Sequence, residues 1–273
     1  MKVSLTKGSL IQALSIIRRP QVVSGKKLDQ AASCVVVAEP TKFSITSLST
    51  DMTTLTYTEW EADNDLEEPV HIPIPDIASV QNILAMHATD LTIEVLSPLK
   101  IRFKSGRKQT TLDASLQAKA SAYSQTTLIQ NHEKGTMLMG RVDWDNLSYT
   151  DGTGKVHENI WDETVDATDM YDALRCDNIN GQKMNRYVFT VNDSDGFRIT
   201  TGDTPKGKTE SLIRAPQPTM NFDVDATFGN GLDSLFGNFN GDARMAVISL
   251  GEHGHRLAIK CGDTCVFQTA VVA

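Results

Sequence analysis

The sequence predicts an α+β protein made of two duplicated domains, each with two helices packed on antiparallel sheets. Three observations carry that expectation. "MKVSLTKGSLIQALSIIRRP" at 1–20 and "ETVDATDMYDALRCDNINGQ" at 163–182 share one outline: a short strand, a small amphipathic helix, then a loop leading to a hairpin. Period-2 stretches punctuated by turn residues fill most of the remainder. The order strand, helix, three strands, then strand, helix, three strands again, recurs in both halves, which is how a duplication shows itself.

In the first half, Leu10, Ala13, Leu14 and Ile17 recur at helical spacing within Ser9 to Arg19. Alternating stretches follow at "ASCVVVAE", "KFSITSLS" and "TLTYTEW". "PVHIPI" leads into an apolar-periodic helix from Pro75 to Ala88, and "LTIEVL", "LKIRFK" and "RKQTTLDA" close the half. In the second half a helix starts near Ala167 with Met170 and Leu174 facing inward. The strands "RYVFTVND", "GFRITTGD" and "GKTESLIRA" come next, with Asp195-Gly196 as a hairpin signal. "TMNFDVD" precedes a helix carrying Phe228, Leu232, Leu235, Phe236 and Phe239, and "RMAVISL", "HRLAIKC" and "TCVFQTAVV" end the chain.

The expected division is 1–114 for the first domain, 115–161 for a connecting insert and 162–273 for the second domain. Each domain is then of common size. The insert has mixed polar composition but also Met137, Leu138, Met139 and Val142, so a hairpin or extended arm is expected there.

With 40% hydrophobic and 22% charged residues, the chain has the composition of a globular protein with a sizeable core. No apolar run approaches the roughly 20 residues of a membrane span. The start lacks a long apolar segment, so no signal peptide and no membrane partner are expected. Cys34, Cys176, Cys261 and Cys265 are too few for a disulfide framework, which suits a cytoplasmic setting. The net charge of −8 repels nucleic acid on average, so DNA binding would need a local basic surface.

Motifs for catalysis are poor, and no enzyme and no cofactor is expected. "DGTGK" at 151–155 has Tyr149 where a phosphate loop needs Gly, and Val156 where it needs Ser or Thr. "VNDSDG" places Val191 and Gly202 at ligand positions of a calcium loop. His253, His255, Cys261 and Cys265 match no zinc spacing, and Leu257 and Ile259 share the strand face of Cys261, which makes it a small core residue. No metal is expected.

The repeated elements resemble those of the DNA polymerase sliding clamps, the ring-shaped processivity factors of bacteria and phages and their PCNA-like counterparts. "MKVSLTKGSLIQAL" looks like the first strand and helix of that family, and "FSITSLSTDMTTLTYT" like its second hairpin. "IPIPDIASVQNIL" resembles the strand entering its second helix, and "LKIRFKSGRKQTTLDA" its closing strands. The second half matches through "FRITTGDTPKGKTESL" and the last three strands. The insert and the glycine-rich final helix depart from the pattern.

The resemblance implies a ring of six domains, hence a homotrimer of two-domain chains, closed head to tail through free sheet edges. It implies helices lining a hole that holds double-stranded DNA without base readout, a DNA polymerase and a clamp loader as partners, and weak phosphate contacts that permit sliding. Helical-wheel positions place Arg19 and Arg175 on the hole side, with Arg18, Lys7 and Lys183 in support. The competing reading of each is an ordinary solvated charge. Asn82 and Ala85 fall where the family often has lysines. The partner groove implied by the resemblance maps to Met52 and Leu55 in "TDMTTL", to Leu128 and Ile129 in the connector and to the tail Val271, Val272 and Ala273. Two other functions fit a duplicated β-rich chain: a viral or phage structural subunit, and a monomeric DNA-binding processivity factor.

Overall fold

The computed structural model of the 273-residue chain describes residues 2–23, 26–29, 31–49, 53–62, 66–74, 76–97, 100–113, 130, 133, 137, 140–158, 160–175, 186–204, 207–216, 223–229 and 231–270. The chain divides into two compact units, Met1–Arg19 with Asp29–Leu138, and Pro20–Leu28 with Met139–Ala273.

The first unit begins with β1 (Lys2–Thr6) and α1 (Lys7–Arg18). A hairpin follows, β2 (Pro20–Val23) and β3 (Lys26–Asp29), whose residues up to Leu28 group with the second unit. Next come β4 (Cys34–Ala38), β5 (Lys42–Leu48), β6 (Thr54–Glu61), β7 (Val70–Ile74), α2 (Ile77–Ala85), β8 (Asp90–Ser97), β9 (Lys100–Ser105) and β10 (Lys108–Asp113). Helix α2 starts where Asp76 caps it: its carboxylate accepts the Ser79 N–H at 3.2 Å and the Ser79 hydroxyl at 2.6 Å. It is shorter than the expected Pro75 to Ala88, and Ile83 is only half-buried beside the buried Ile77, Val80 and Leu84.

The second unit opens with three very short strands, β11 (Val142–Asp143), β12 (Ser148–Thr150) and β13 (Val156–His157). They form a small sheet within the expected insert. Then follow β14 (Ile160–Asp166), α3 (Ala167–Arg175), β15 (Arg186–Asn192), β16 (Gly196–Thr204), β17 (Gly207–Arg214), β18 (Val224–Gly229), α4 (Leu232–Phe236), β19 (Asp242–Ser249), β20 (His255–Cys261) and β21 (Thr264–Thr269).

One pattern organises both units: a strand, a helix and three strands, four times over. The leading strand leaves its own three strands and pairs antiparallel with those of the sister motif. So β1 pairs β8 and β7 pairs β4, and likewise β14 pairs β19 and β18 pairs β15. The first unit thus holds the orders β1-β8-β9-β10 and β6-β5-β4-β7, and the second holds β14-β19-β20-β21 and β17-β16-β15-β18. The exchange interlocks sister motifs through backbone hydrogen bonds that neither can satisfy alone.

Each core lies between sheets and helices. In the first unit Leu10, Leu14 and Ile17 meet Val80 and Leu84 over Val36, Phe43, Ile93 and Phe103. In the second, Met170, Leu174 and Leu235 are fully buried, and Phe189 packs edge-on against Phe197 at 5.5 Å and Phe228 at 5.2 Å. Each such side chain contributes about 1.5–3 kcal/mol of burial, and an aromatic pair adds roughly 0.5–1.5.

Phe228 corrects the expected final helix. The spacing of Phe228, Leu232, Leu235, Phe236 and Phe239 suits a helix, yet Phe228 belongs to β18, opposite Tyr187. Gly231 at φ 78° separates the strand from a helix of five residues.

The small sheet of the insert is anchored within its unit by arginines. The Arg256 guanidinium donates to the Tyr149 hydroxyl and lies 5.6 Å from that ring's centre. Arg244 sits 5.4 Å from the Trp144 ring while its Nε donates to Asp162 at 2.9 Å. The "DGTGK" segment is an aspartate-organised turn: Asp151 accepts the N–H of Thr153 at 2.8 Å and of Lys155 at 3.1 Å. In "VNDSDG", Asn192 Oδ1 accepts the Ser194 and Asp195 N–H groups at 3.1 and 2.7 Å. Gly196 is required there, since φ is 71° and a Cβ would run into the Arg214 carbonyl.

Candidate nucleic-acid interface

The helices bury their apolar faces, so their outer faces decide what each unit can hold. On α1, Gly8 and Gln12 are exposed and Lys7, Ser15 and Arg18 half-exposed; on α2, Asn82, Ala85 and the capping Met86 are exposed. The two faces are tied by polar bonds. Arg18 Nη1 donates to Gln81 Oε1 at 2.9 Å, and Gln81 Nε2 donates to Ser15 Oγ at 3.2 Å. Arg18 Nε also meets Asp29 Oδ2 at 2.9 Å, with the Arg18 side chain still 30% exposed. Arg18 is therefore oriented rather than floppy, at the cost of a carboxylate beside it.

A second cationic group gathers at the C-terminal end of α2. Lys7 Nζ donates to the His87 carbonyl at 2.6 Å and Lys108 Nζ to the Met86 carbonyl at 2.8 Å. The Met86 carbonyl is one that the helix end leaves open and the His87 carbonyl follows it, where cations are favoured. His87 is buried beneath them, with Nδ1 2.8 Å from Ser105 Oγ and Nε2 2.9 Å from Thr110 Oγ1. Burial, and then the Lys108 and Lys7 charges, push its pKa below the ordinary histidine value. Lys108 could not be found from its sequence position, because only folding brings β10 to the end of α2.

The second unit presents a different face. Arg175 is 61% exposed on α3, pairs with Asp172 at 3.4 Å and lies 5.6 Å from the centre of the Tyr171 ring. Thr168, Asp169 and Asp172 are exposed alongside it. Gly237, closing α4, packs on Tyr171: a Cβ there would stand 3.0 Å from the ring. The face carries one arginine against two aspartates, so the cationic part of the candidate interface lies on the first unit.

Arg19 corrects the helical-wheel placement. Helix α1 ends at Arg18, and Arg19 has φ 38°, which takes it off the wheel and turns it inward to 1% exposure. Lys183 lies outside the described residues, as do Met52, Leu128, Ile129, Val271, Val272 and Ala273. Leu55 is described and is 5% exposed. By its register opposite Leu48 it lies on the sheet face away from α1 and α2, a face it shares with Val35, Val37 and Tyr57. It is buried there, not an open anchor.

Among the described residues, no group of three or more His, Cys, Asp or Glu is placed to hold a metal ion. No helix of the described residues is long and apolar enough to cross a membrane.

Four interlocked copies of one strand-helix-sheet motif, arranged as two units with paired helices, define a class of fold that structure comparison places at once. The chain has the sliding-clamp fold. Over its entire length it superposes on the PCNA of A. fulgidus, solved with the C-terminal region of FEN-1, with a TM-score of 0.63, 12% identity and 98% of that chain covered. The Bacillus subtilis DNA polymerase sliding clamp matches at a TM-score of 0.62 and 12% identity. The Pseudomonas aeruginosa DNA polymerase III subunit beta matches at 0.60 and 15%. This chain spans about 65% of either bacterial protein. Sequence comparison finds no matching family and no curated relative.

Proposed function

We propose that this protein is a DNA polymerase sliding clamp, a non-enzymatic ring that encircles duplex DNA and tethers a replicative polymerase. The observation that carries the reading is whole-chain agreement with PCNA of A. fulgidus: 100% of this chain on 98% of that one. Two units per chain then correspond to one subunit of a six-domain ring, and three copies close it. The free edges β10 and β17, one on each unit, support head-to-tail closure.

In this reading the α1 and α2 faces, with Arg18, Lys7 and Lys108, meet the phosphates, and Arg175 adds a contact from α3. Lys183 belongs to the same set. A few phosphate contacts suffice, because encirclement replaces affinity. The partner groove for a polymerase peptide is built around Leu55, Met52, Leu128, Ile129 and the tail Val271, Val272 and Ala273. The placement of Leu55 on the face away from the helices supports that side, and its burial means the groove opens by moving whatever covers it. A clamp loader and a cytoplasmic, DNA-associated location complete the proposal.

The test is the particle itself. Sedimentation at micromolar concentration should give three chains, and electron micrographs should show a ring with a central hole. A monomer at every concentration removes the ring and leaves a monomeric processivity factor.

A further inference from the structure

The turn at 86–89, between α2 and β8, is held from three sides. Lys108 of β10 donates to the Met86 carbonyl at 2.8 Å, and Lys7 of α1 donates to the His87 carbonyl at 2.6 Å. The Lys7 N–H reaches the Thr89 carbonyl at 3.3 Å, and the Ala88 N–H reaches Ser105 Oγ of β9 at 3.1 Å. In the middle, the buried His87 ring bonds Ser105 through one nitrogen at 2.8 Å and Thr110 through the other at 2.9 Å. The ring thereby fixes the turn whose carbonyls hold both ammonium groups. Each ammonium has three donors and uses one on its carbonyl. Lys7 is half-exposed and Lys108 exposed, so both face solvent with donors left for an anion.

The charges that act on His87 are both positive, Lys108 from β10 and Lys7 from α1. β9 faces the ring with Ser105, and β10 also with Thr110. Helix α2, IASVQNILA, carries no charge. The nearest carboxylate along the chain, Asp90, is exposed at the start of β8. A buried imidazole among cations, with no anion against it, stays neutral.

Resting on the clamp reading above, we propose that His87 is the positioning residue of a phosphate site formed by Lys7 and Lys108, and that it takes up a proton from solvent when DNA binds there. The phosphate supplies the negative charge this cluster lacks. It offsets the field of the two lysines and makes the imidazolium less unfavourable. Protonation needs no rebuilding, because both ring nitrogens then donate and the Ser105 and Thr110 hydroxyls accept by rotating. Linkage is reciprocal: a proton on His87 raises affinity for DNA by the factor by which DNA raises affinity for the proton. At high pH the ring is neutral with or without DNA, and affinity is flat. Affinity rises as pH falls through the DNA-bound pKa and levels off below the free one, which lies under 6.5. One proton limits the slope to roughly tenfold per pH unit.

The experiment measures the affinity of the whole protein for a labelled short duplex by fluorescence anisotropy, at constant salt, from about pH 8 to about pH 5.5. Wild type should tighten at least roughly threefold over that range. His87→Gln keeps a donor and an acceptor for the two hydroxyls but cannot titrate. It should keep the wild-type salt slope and bind equally at every pH. His87→Ala should lose the pH dependence and also flatten the salt slope toward that of Lys7→Gln with Lys108→Gln. Melting curves identify any variant that has lost its fold, and histidine resonances of the wild type give a readout that needs no folded variant. The His87 signal should titrate at higher pH with duplex than without. A wild-type affinity that ignores pH overturns the proposal, as does His87→Gln that follows wild type or a His87 signal that titrates identically in both states. An unflattened slope in folded His87→Ala overturns the positioning role. Each of these leaves the clamp reading intact, whereas a wild type that binds no duplex at any pH removes both.

Discussion

Replacing Asp29 with Asn should strengthen the grip on DNA, and the structure sets the size of the effect. Asp29 holds Arg18 at 2.9 Å, with side chains 27% and 30% exposed. A pair this open contributes about 0.2–1 kcal/mol to stability, so the fold survives its loss. The second restraint on Arg18, its 2.9 Å bond to Gln81, stays in place. What changes is charge: the carboxylate that competes with a phosphate for the guanidinium is gone. Each phosphate neutralised contributes about 0.9 to the slope of log affinity against log salt, which is roughly eightfold per decade of salt. Asp29→Asn should steepen the slope and Arg18→Gln should flatten it, the two changes together amounting to about 0.9, the contribution of one phosphate. Fluorescence anisotropy of a labelled short duplex across a salt series reads both. Equal slopes for wild type, Asp29→Asn and Arg18→Gln would show that Arg18 touches no phosphate.

Other changes test the packing and the titrating groups. Gly237→Ala places a Cβ 3.0 Å from the Tyr171 ring at an ordinary φ of −66°, so a crowding cost of about 1–3 kcal/mol should outweigh the gain of about 0.4–1 from a stiffer unfolded chain, and the melting temperature should fall. With Tyr171→Ala in the background the same change should become neutral or stabilising, which a double-mutant cycle would show. Asp76→Ala removes the cap of α2 and should cost about 1 kcal/mol in denaturant unfolding. His87 favours its neutral form in the folded state. Its contribution is therefore fully present above the unfolded value of 6.5 and is lost as pH falls from there through the lowered folded pKa. His255, depressed by burial, acts in the same direction. A pH series of melting curves should show less acid sensitivity in His87→Gln than in wild type.

The duplication was legible because its signals are local. "CVVVA" and "KFSITSL" mark strands through short runs of β-branched and apolar residues that are buried on both faces, and the helical spacing of Leu10, Leu14 and Ile17 follows from one face being buried. The exchange of leading strands between sister motifs was not legible, since alternation says that a strand pairs but not with which partner. Phe228 shows the limit of periodicity: the same apolar spacing served a strand, a glycine turn and a short helix. The strands of the insert are two or three residues long, too short to alternate, and depend on Arg244 and Arg256 from β19 and β20. At the candidate site, Arg18 and Arg175 could be placed because they lie within helices. Arg19 could not, because a single residue past the helix end no longer obeys the wheel. Lys108 and His87 needed tertiary contact to be seen together.

Topological encirclement is the central claim, and retention on closed DNA tests it most directly. The ring should be assembled on a nicked circular duplex with its loader, freed of unbound protein and held at moderate salt. A closed ring should stay on the circle and leave within minutes of linearisation by a restriction enzyme, with retention restored when the ends are blocked by bound protein. Equal retention on circular and linear DNA, or loss from both at the same rate, would contradict it.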